Sequence, residues 1–122
     1  MHEIEIIEKN WGEEQVVVNA PTYCGKLLVV AKGWQCSLHH HKKKDETFYV
    51  QSGPVLIQIG DRVFMAGCGE AFRVPPGTWH RFGAQLHPAL LVEFSSHHND
   101  DDVVRHEPSC PITDEFIDRA ES

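Results

Sequence analysis

Turn-forming residues interrupt this chain so often that nearly every piece between them has the length and composition of a short β-strand. Ile4 to Ile6 alternates apolar with charged residues before Asn10-Trp11-Gly12 turns the chain. Val16 to Val18 is β-branched and closes at Ala20-Pro21, and Leu27 to Ala31 is an apolar run ending at Lys32-Gly33. Trp34 to His41 alternates in character, the polar loop Lys42 to Asp45 follows, and Thr47 to Val50 is aromatic and β-branched. After Ser52-Gly53-Pro54, the segments Val55 to Ile59 and Arg62 to Met65 flank Gly60-Asp61 as a hairpin with a two-residue connection. Ala71 to Val74, Trp79 to Phe82 and Ala89 to Ser95 complete about nine or ten strands. That pattern predicts an all-β sandwich or barrel rather than alternating helices and strands. Only Thr113 to Glu121 reads as a helix, with Thr113 as its cap and Asp114 and Glu115 in its first turn. The acidic run Asp100 to Asp102 reads as a solvated loop.

A chain of 122 residues suits one domain, residues 1–122, with one modest core. Its net charge of −7 disfavours polyanionic partners, so neither nucleic acid nor an anionic membrane is expected. No apolar run is long enough to span a bilayer, and MHEIEIIEKN lacks the basic-then-apolar order of a signal peptide, so the expected compartment is the cytoplasm. Cys24, Cys36, Cys68 and Cys110 form no CxxC pair and read as reduced thiols, mostly filling the core.

The chemistry concentrates in two segments. On a strand, His39 and His41 project from one face about 7 Å apart, close enough for two imidazoles to converge on one ion, while His40 points the other way. Glu46 has the wrong parity to share that strand, and the loop of Lys42 to Asp45 lets it enter from the next one. Downstream, the Pro75-Pro76-Gly77 turn delivers His80 from a distant strand. Three histidines and one carboxylate leave positions open, as a catalytic metal site does. With nine histidines in the chain, a chance His-x-His pair in a solvated loop is the competing reading of the first segment alone.

Taken together, Gly33-x5-His39-x-His41-x4-Glu46-x6-Gly53 and Gly69-x5-Pro75-x-Gly77-x2-His80 resemble the two motifs of the cupin superfamily. The second motif normally ends in Asn, and Ala84 stands at that position. The resemblance covers about residues 11–98 and implies a jelly-roll-like β-barrel of two packed antiparallel sheets. It further implies one divalent ion (Zn, Mn, Fe, Ni or Co, with Zn or Mn favoured) on His39, His41, Glu46 and His80.

A narrower resemblance rests on Trp11-Gly12, Tyr23 to Lys26, Glu46 to Val50, His80-Arg81-Phe82, Val92-Glu93-Phe94 and Asp101 to Arg105. These segments are similar to the cupin domain of type II mannose-6-phosphate isomerases and to stand-alone sugar-isomerase cupins such as D-lyxose isomerase. The resemblance implies aldose–ketose isomerisation of a sugar or sugar phosphate, in which a metal stabilises adjacent oxygens and a base moves a carbon-bound proton. Glu93, an acid inside the apolar strand Leu90 to Phe94, is the first candidate base; the alternative is a strand glutamate facing solvent. Lys26 is the second, against a surface lysine. Arg81 and Arg105 are candidates to clamp a phosphate, and Lys42 to Lys44 to steer an anion, each against a merely solvated side chain. His97 and His98 are a minor candidate surface metal pair. Fold resemblance leaves two other functions open, a non-catalytic binder of a small carbohydrate and a metal-dependent dioxygenase. Ile4 to Ile7 reads as an edge strand needing a partner, which predicts a homodimer.

Overall fold

The computed structural model describes residues 1–121 and folds them into two antiparallel sheets closed on each other, with one short helix at the C-terminal end. One sheet runs β1 (Glu5–Lys9), β2 (Gly12–Asn19), β3 (Cys24–Val30), β11 (Ala89–Ser95), β6 (Glu46–Ser52) and β9 (Ala71–Val74). The other runs β12 (Val103–Glu107), β5 (Leu38–His41), β10 (His80–Ala84), β4 (Trp34–Gln35) and β13 (Cys110–Pro111). β7 (Val55–Ile59) joins that sheet against β10 and carries β8 (Arg62–Ala66) on its other side. The all-β barrel is the architecture the sequence predicts.

Several local rules survive intact. Ile59 pairs with Arg62, so the β7–β8 hairpin turns on Gly60 and Asp61 alone, and Gly60 takes φ +58, a left-handed conformation that glycine adopts without steric cost. Gly12 has a packing reason as well as a backbone one. Its φ is +145, and a Cβ there would lie 1.8 Å from the Val29 carbonyl oxygen. The helix α1 (Asp114–Glu121) is capped by Thr113, whose hydroxyl accepts the Phe116 N–H at 3.2 Å. Phe116 is fully buried and stands close over Gly83.

Other expectations are corrected. Trp34 to His41 is two strands, β4 and β5, separated at Cys36 and Ser37. The segment after Asn99 adds β12 and β13, the first of them antiparallel to the histidine strand β5. Asp100 to Asp102 is a 3-10 turn capped by Asn99, and Asp102 is held by backbone contacts rather than left in solvent. All four cysteines are free, but only Cys24 and Cys36 are buried, whereas Cys68 is exposed. Among the described residues, no helix is long and apolar enough to cross a membrane.

The interior is divided along its length. β3 turns Lys26, Leu28 and Val30 inward, β11 turns Glu93, Leu91 and Ala89 inward, and β6 turns Glu46, Phe48 and Val50 inward. Each strand therefore places a charged residue at one end of the barrel and apolar ones at the other. The apolar end packs Trp11, Val30, Val50, Val55, Ile57, Phe82 and Leu91 into the core. The charged end cannot be filled that way, because buried charges need partners.

Candidate metal centre

His39 and His41 stand on β5 with inward parity, and His80 opens β10, the neighbouring strand, directly opposite His39. The three imidazoles gather so that one nitrogen from each lies within 4.8 Å of the others. Glu46, the first residue of β6, comes from the opposite sheet and sets Oε1 3.3 Å from His41 Nε2 and 3.2 Å from His80 Nε2. His40 faces the other way and packs its ring edge-on against Trp79.

The hydrogen bonds around this cluster fix its chemistry. His39 Nδ1–H donates to the Ser37 carbonyl at 2.8 Å, and His80 Nδ1–H donates to the Thr78 carbonyl at 2.9 Å. Both rings therefore turn an unprotonated Nε2 toward the centre. Burial, with help from His80, holds His39 down at about 4, and burial holds His41 down at about 3, so both are neutral at neutral pH. Glu46 Oε1 and His80 Nε2 are buried with no hydrogen-bond partner. The lone pairs of His39 Nε2, His80 Nε2 and Glu46 Oε1 thus converge on one point, an arrangement that is repulsive without a cation at its centre. The residues fit a divalent ion: three imidazoles and a carboxylate can hold one.

Beside the cluster lies a cavity of about 870 Å³. Glu93 lines it, buried at 3% exposure rather than facing solvent, and directly opposite Lys26 in the β11–β3 register. Lys26 is buried too, 3.7 Å from Glu14 Oε1, so the surface-lysine reading fails. Arg105 lines the cavity from β12, across from His39, and is exposed. Arg81 does not join them. It sits next to His80 on β10 and so projects from the other face, where it bonds Glu107 at 2.9 Å and stacks over Phe116. It ties β12 and α1 to the sheet and cannot clamp a ligand in the cavity. Ala84 lies in the apolar core, so the missing motif Asn does not alter the charged end.

The residue that sequence reasoning missed is Lys44. It belongs to the loop expected to steer anions, yet its side chain is buried at 3% exposure. Its Nζ lies 2.7 Å from Glu93 Oε2 and 3.5 Å from Glu46 Oε2, and it donates to His98 Nδ1 at 3.0 Å. Burial alone would pull the Lys44 ammonium down; Glu93 and Glu46 outweigh it and hold the group above the ordinary lysine value. The available signal was parity, since Lys44 is two residues before Glu46 and shares its face. Glu14 was also missed, and His98, expected beside His97 as a surface metal pair, instead accepts from Lys44. His98 turns its Nε2–H to Asp100 at 2.8 Å while His97 bonds the Ala20 carbonyl, so the two rings serve different partners.

The family model for the cupin domain matches residues 26–92. The chain is 29% identical to a D-lyxose/D-mannose isomerase of Thermosediminibacter oceani, over 84% of this chain and 72% of that enzyme. It is 26% identical to mannose-1-phosphate guanylyltransferase 2 of Escherichia coli O157:H7, over 78% of this chain but only 20% of that protein's length. Among solved structures, KdgF from Halomonas sp. superposes with a TM-score of 0.71 at 22% identity, over 82% of this chain and 90% of KdgF. At that identity the likeness speaks for the fold alone.

Proposed function

Because the chain belongs to the cupin domain family, we propose that its charged cavity is the active site of a metal-dependent aldose–ketose isomerase for an unphosphorylated sugar. The observation that carries this reading is the buried Glu93–Lys44 pair standing beside the converging cluster of His39, His41, His80 and Glu46. A divalent ion bound there, zinc or manganese by donor type, supplies Lewis-acid stabilisation to neighbouring substrate oxygens without redox change.

The chain's own residues do the rest. Glu93 takes the proton from the carbon beside the carbonyl and returns it to the adjacent carbon. Lys44, 2.7 Å away, holds that carboxylate in place. Lys26, opposite Glu93, is the second candidate for the proton-transfer role. The apolar floor of Phe48 and Leu28 seals one side of the cavity against water.

The way the cavity's cations are already paired favours a neutral substrate over a sugar phosphate. Its lining carries the carboxylates Glu5, Glu14, Glu46, Glu93, Asp100 and Asp101 against the cations Lys9, Lys26, Lys44 and Arg105, and a divalent ion at the histidine cluster would bring the two signs level rather than leave a positive excess for a phosphate. Each of those lysines already faces a carboxylate, and with Arg81 on the other face only one guanidinium remains for a phosphate. The isomerase relative is named for D-lyxose and D-mannose, which carry no phosphate. The same reading includes a cytoplasmic setting, which suits four free thiols, and a homodimer.

The metal-loaded protein incubated in deuterated water with D-lyxose, D-mannose, mannose 6-phosphate and fructose 6-phosphate tests the proposal. We expect ketose or aldose product from the free sugars, with or without deuterium beside the carbonyl, and little from the phosphates. Absence of product and of label across a broad sugar panel at full metal content replaces the isomerase with a carbohydrate-binding module.

A further inference from the structure

Three consecutive lysines, Lys42 to Lys44, connect the histidine strand to Glu46, and only the last turns inward. Nothing in the side-chain chemistry distinguishes them: each would gain more hydration by staying outside. The choice is made by the backbone of the loop, and the backbone is held by one carboxylate. Lys43 N–H donates to Asp102 Oδ1 at 2.9 Å and to Oδ2 at 3.2 Å, and Lys44 N–H donates to Asp102 Oδ2 at 3.0 Å. Lys42 N–H donates to the Asp102 main-chain carbonyl at 3.1 Å. One residue thus takes the N–H groups of all three lysines.

That anchor is itself fixed. Asp102 N–H donates to the Asn99 carbonyl at 3.0 Å, closing the 3-10 turn. The next residue, Val103, pairs with His41, so Asp102 is locked in register with the strand that carries two of the three clustered histidines. On the far side of the loop, Asp45 N–H donates to Ser96 Oγ at 3.0 Å and Ser96 N–H returns to the Asp45 carbonyl at 3.1 Å. With both flanks held, the Cα–Cβ bond of Lys44 is aimed into the barrel, and its ammonium meets Glu93.

We propose that Asp102 is a positioning residue: it selects Lys44 from the three lysines and holds its ammonium against Glu93. This rests on the isomerase reading for its catalytic consequence and on the loop geometry alone for its structural one. A charge-assisted anchor of several N–H groups is stronger than a neutral one, so its loss frees the loop to put Lys44 back into water.

Limited acetylation by an amine-reactive reagent, located by peptide mass spectrometry, reads the structural part without any turnover. In the wild type we expect Lys42 and Lys43 to react and Lys44 to be protected. In Asp102→Ala, Lys44 labelling rises about tenfold while Lys42 and Lys43 stay constant. A folded variant in which Lys44 stays as protected as in the wild type overturns the proposal. If Asp102→Ala does not fold, Asp102→Asn, which keeps one acceptor oxygen, must show a smaller rise, and no rise overturns it. In turnover, Asp102→Ala lowers kcat about tenfold with KM within about twofold, and adding Lys44→Met does little further harm. An unchanged kcat with exposed Lys44 also overturns it. A wild type that converts no sugar removes the isomerase reading, and the labelling pattern then decides the positioning role by itself.

Discussion

At the scale of single residues, the site is a contest between neighbours of identical type. His39, His40 and His41 are consecutive, yet strand parity sends the first and third to the centre and the second against Trp79. The expected consequence is selective. His41→Ala, and equally His39→Ala or His80→Ala, abolishes stoichiometric divalent metal, whereas His40→Ala leaves it intact and costs only its packing on Trp79. Elemental analysis of the purified variants checks this, and full occupancy in His41→Ala contradicts the assignment. The lysines repeat the lesson with a different cause. Lys44 lies in the loop before β6, where the Asp102 anchor of the backbone aims it inward, and burying its charge also requires the Glu93 carboxylate 2.7 Å away.

At the scale of elements, the barrel wall depends on how strands are joined. The β1–β2 hairpin turns on Asn10 and Trp11, and Gly12, which opens β2, lies so close to the Val29 carbonyl of β3 that a side chain has no room. Ile7 and Glu14, paired across that hairpin, both line the cavity. Gly12→Ala therefore combines an unfavourable φ with a backbone clash and lowers stability by about 2–4 kcal/mol, measured as a reduced midpoint of urea unfolding. A variant as stable as the wild type shows that the hairpin can shift without cost. At the other end of the chain, α1 is docked by a cap at Thr113, whose N–H donates to the buried Gln35 at 3.0 Å, and by the Arg81 guanidinium stacked on Phe116. This explains a sequence misreading. An arginine next to a motif histidine looks like a ligand clamp, but adjacency on a strand means opposite faces.

For the whole molecule, β1 is an edge of the six-stranded sheet, paired among the described residues only with β2, and Ile4 and Ile6 are exposed there. An uncovered edge with apolar side chains favours pairing with another copy. We expect a homodimer at micromolar concentration that dissociates when residues 1–9 are deleted. Sedimentation velocity decides it, and a monomeric intact protein refutes it. Deletion also removes Glu5, Ile7 and Lys9 from the cavity wall, so ligand binding weakens together with assembly.

The barrel was legible because its signals are local: turn chemistry, period-two alternation and a capped C-terminal helix each depend on a few consecutive residues. The histidine cluster was nearly as legible, since His39 and His41 share a strand and Pro75 to Gly77 reverses the chain before His80. What only the tertiary structure decided is which charged residues meet across strands. Glu93 opposite Lys26, Lys44 against Glu93 and Glu14 near Lys26 all depend on inter-strand register; the β11–β3 ladder is regular, whereas the β2–β3, β11–β6 and β12–β5 ladders shift at Val16/Val18, Leu90/Leu91 and Arg105/Glu107. Each irregularity displaces the pairing beyond it, so partners distant in sequence are fixed by the accumulated path of the chain and not by any segment of it.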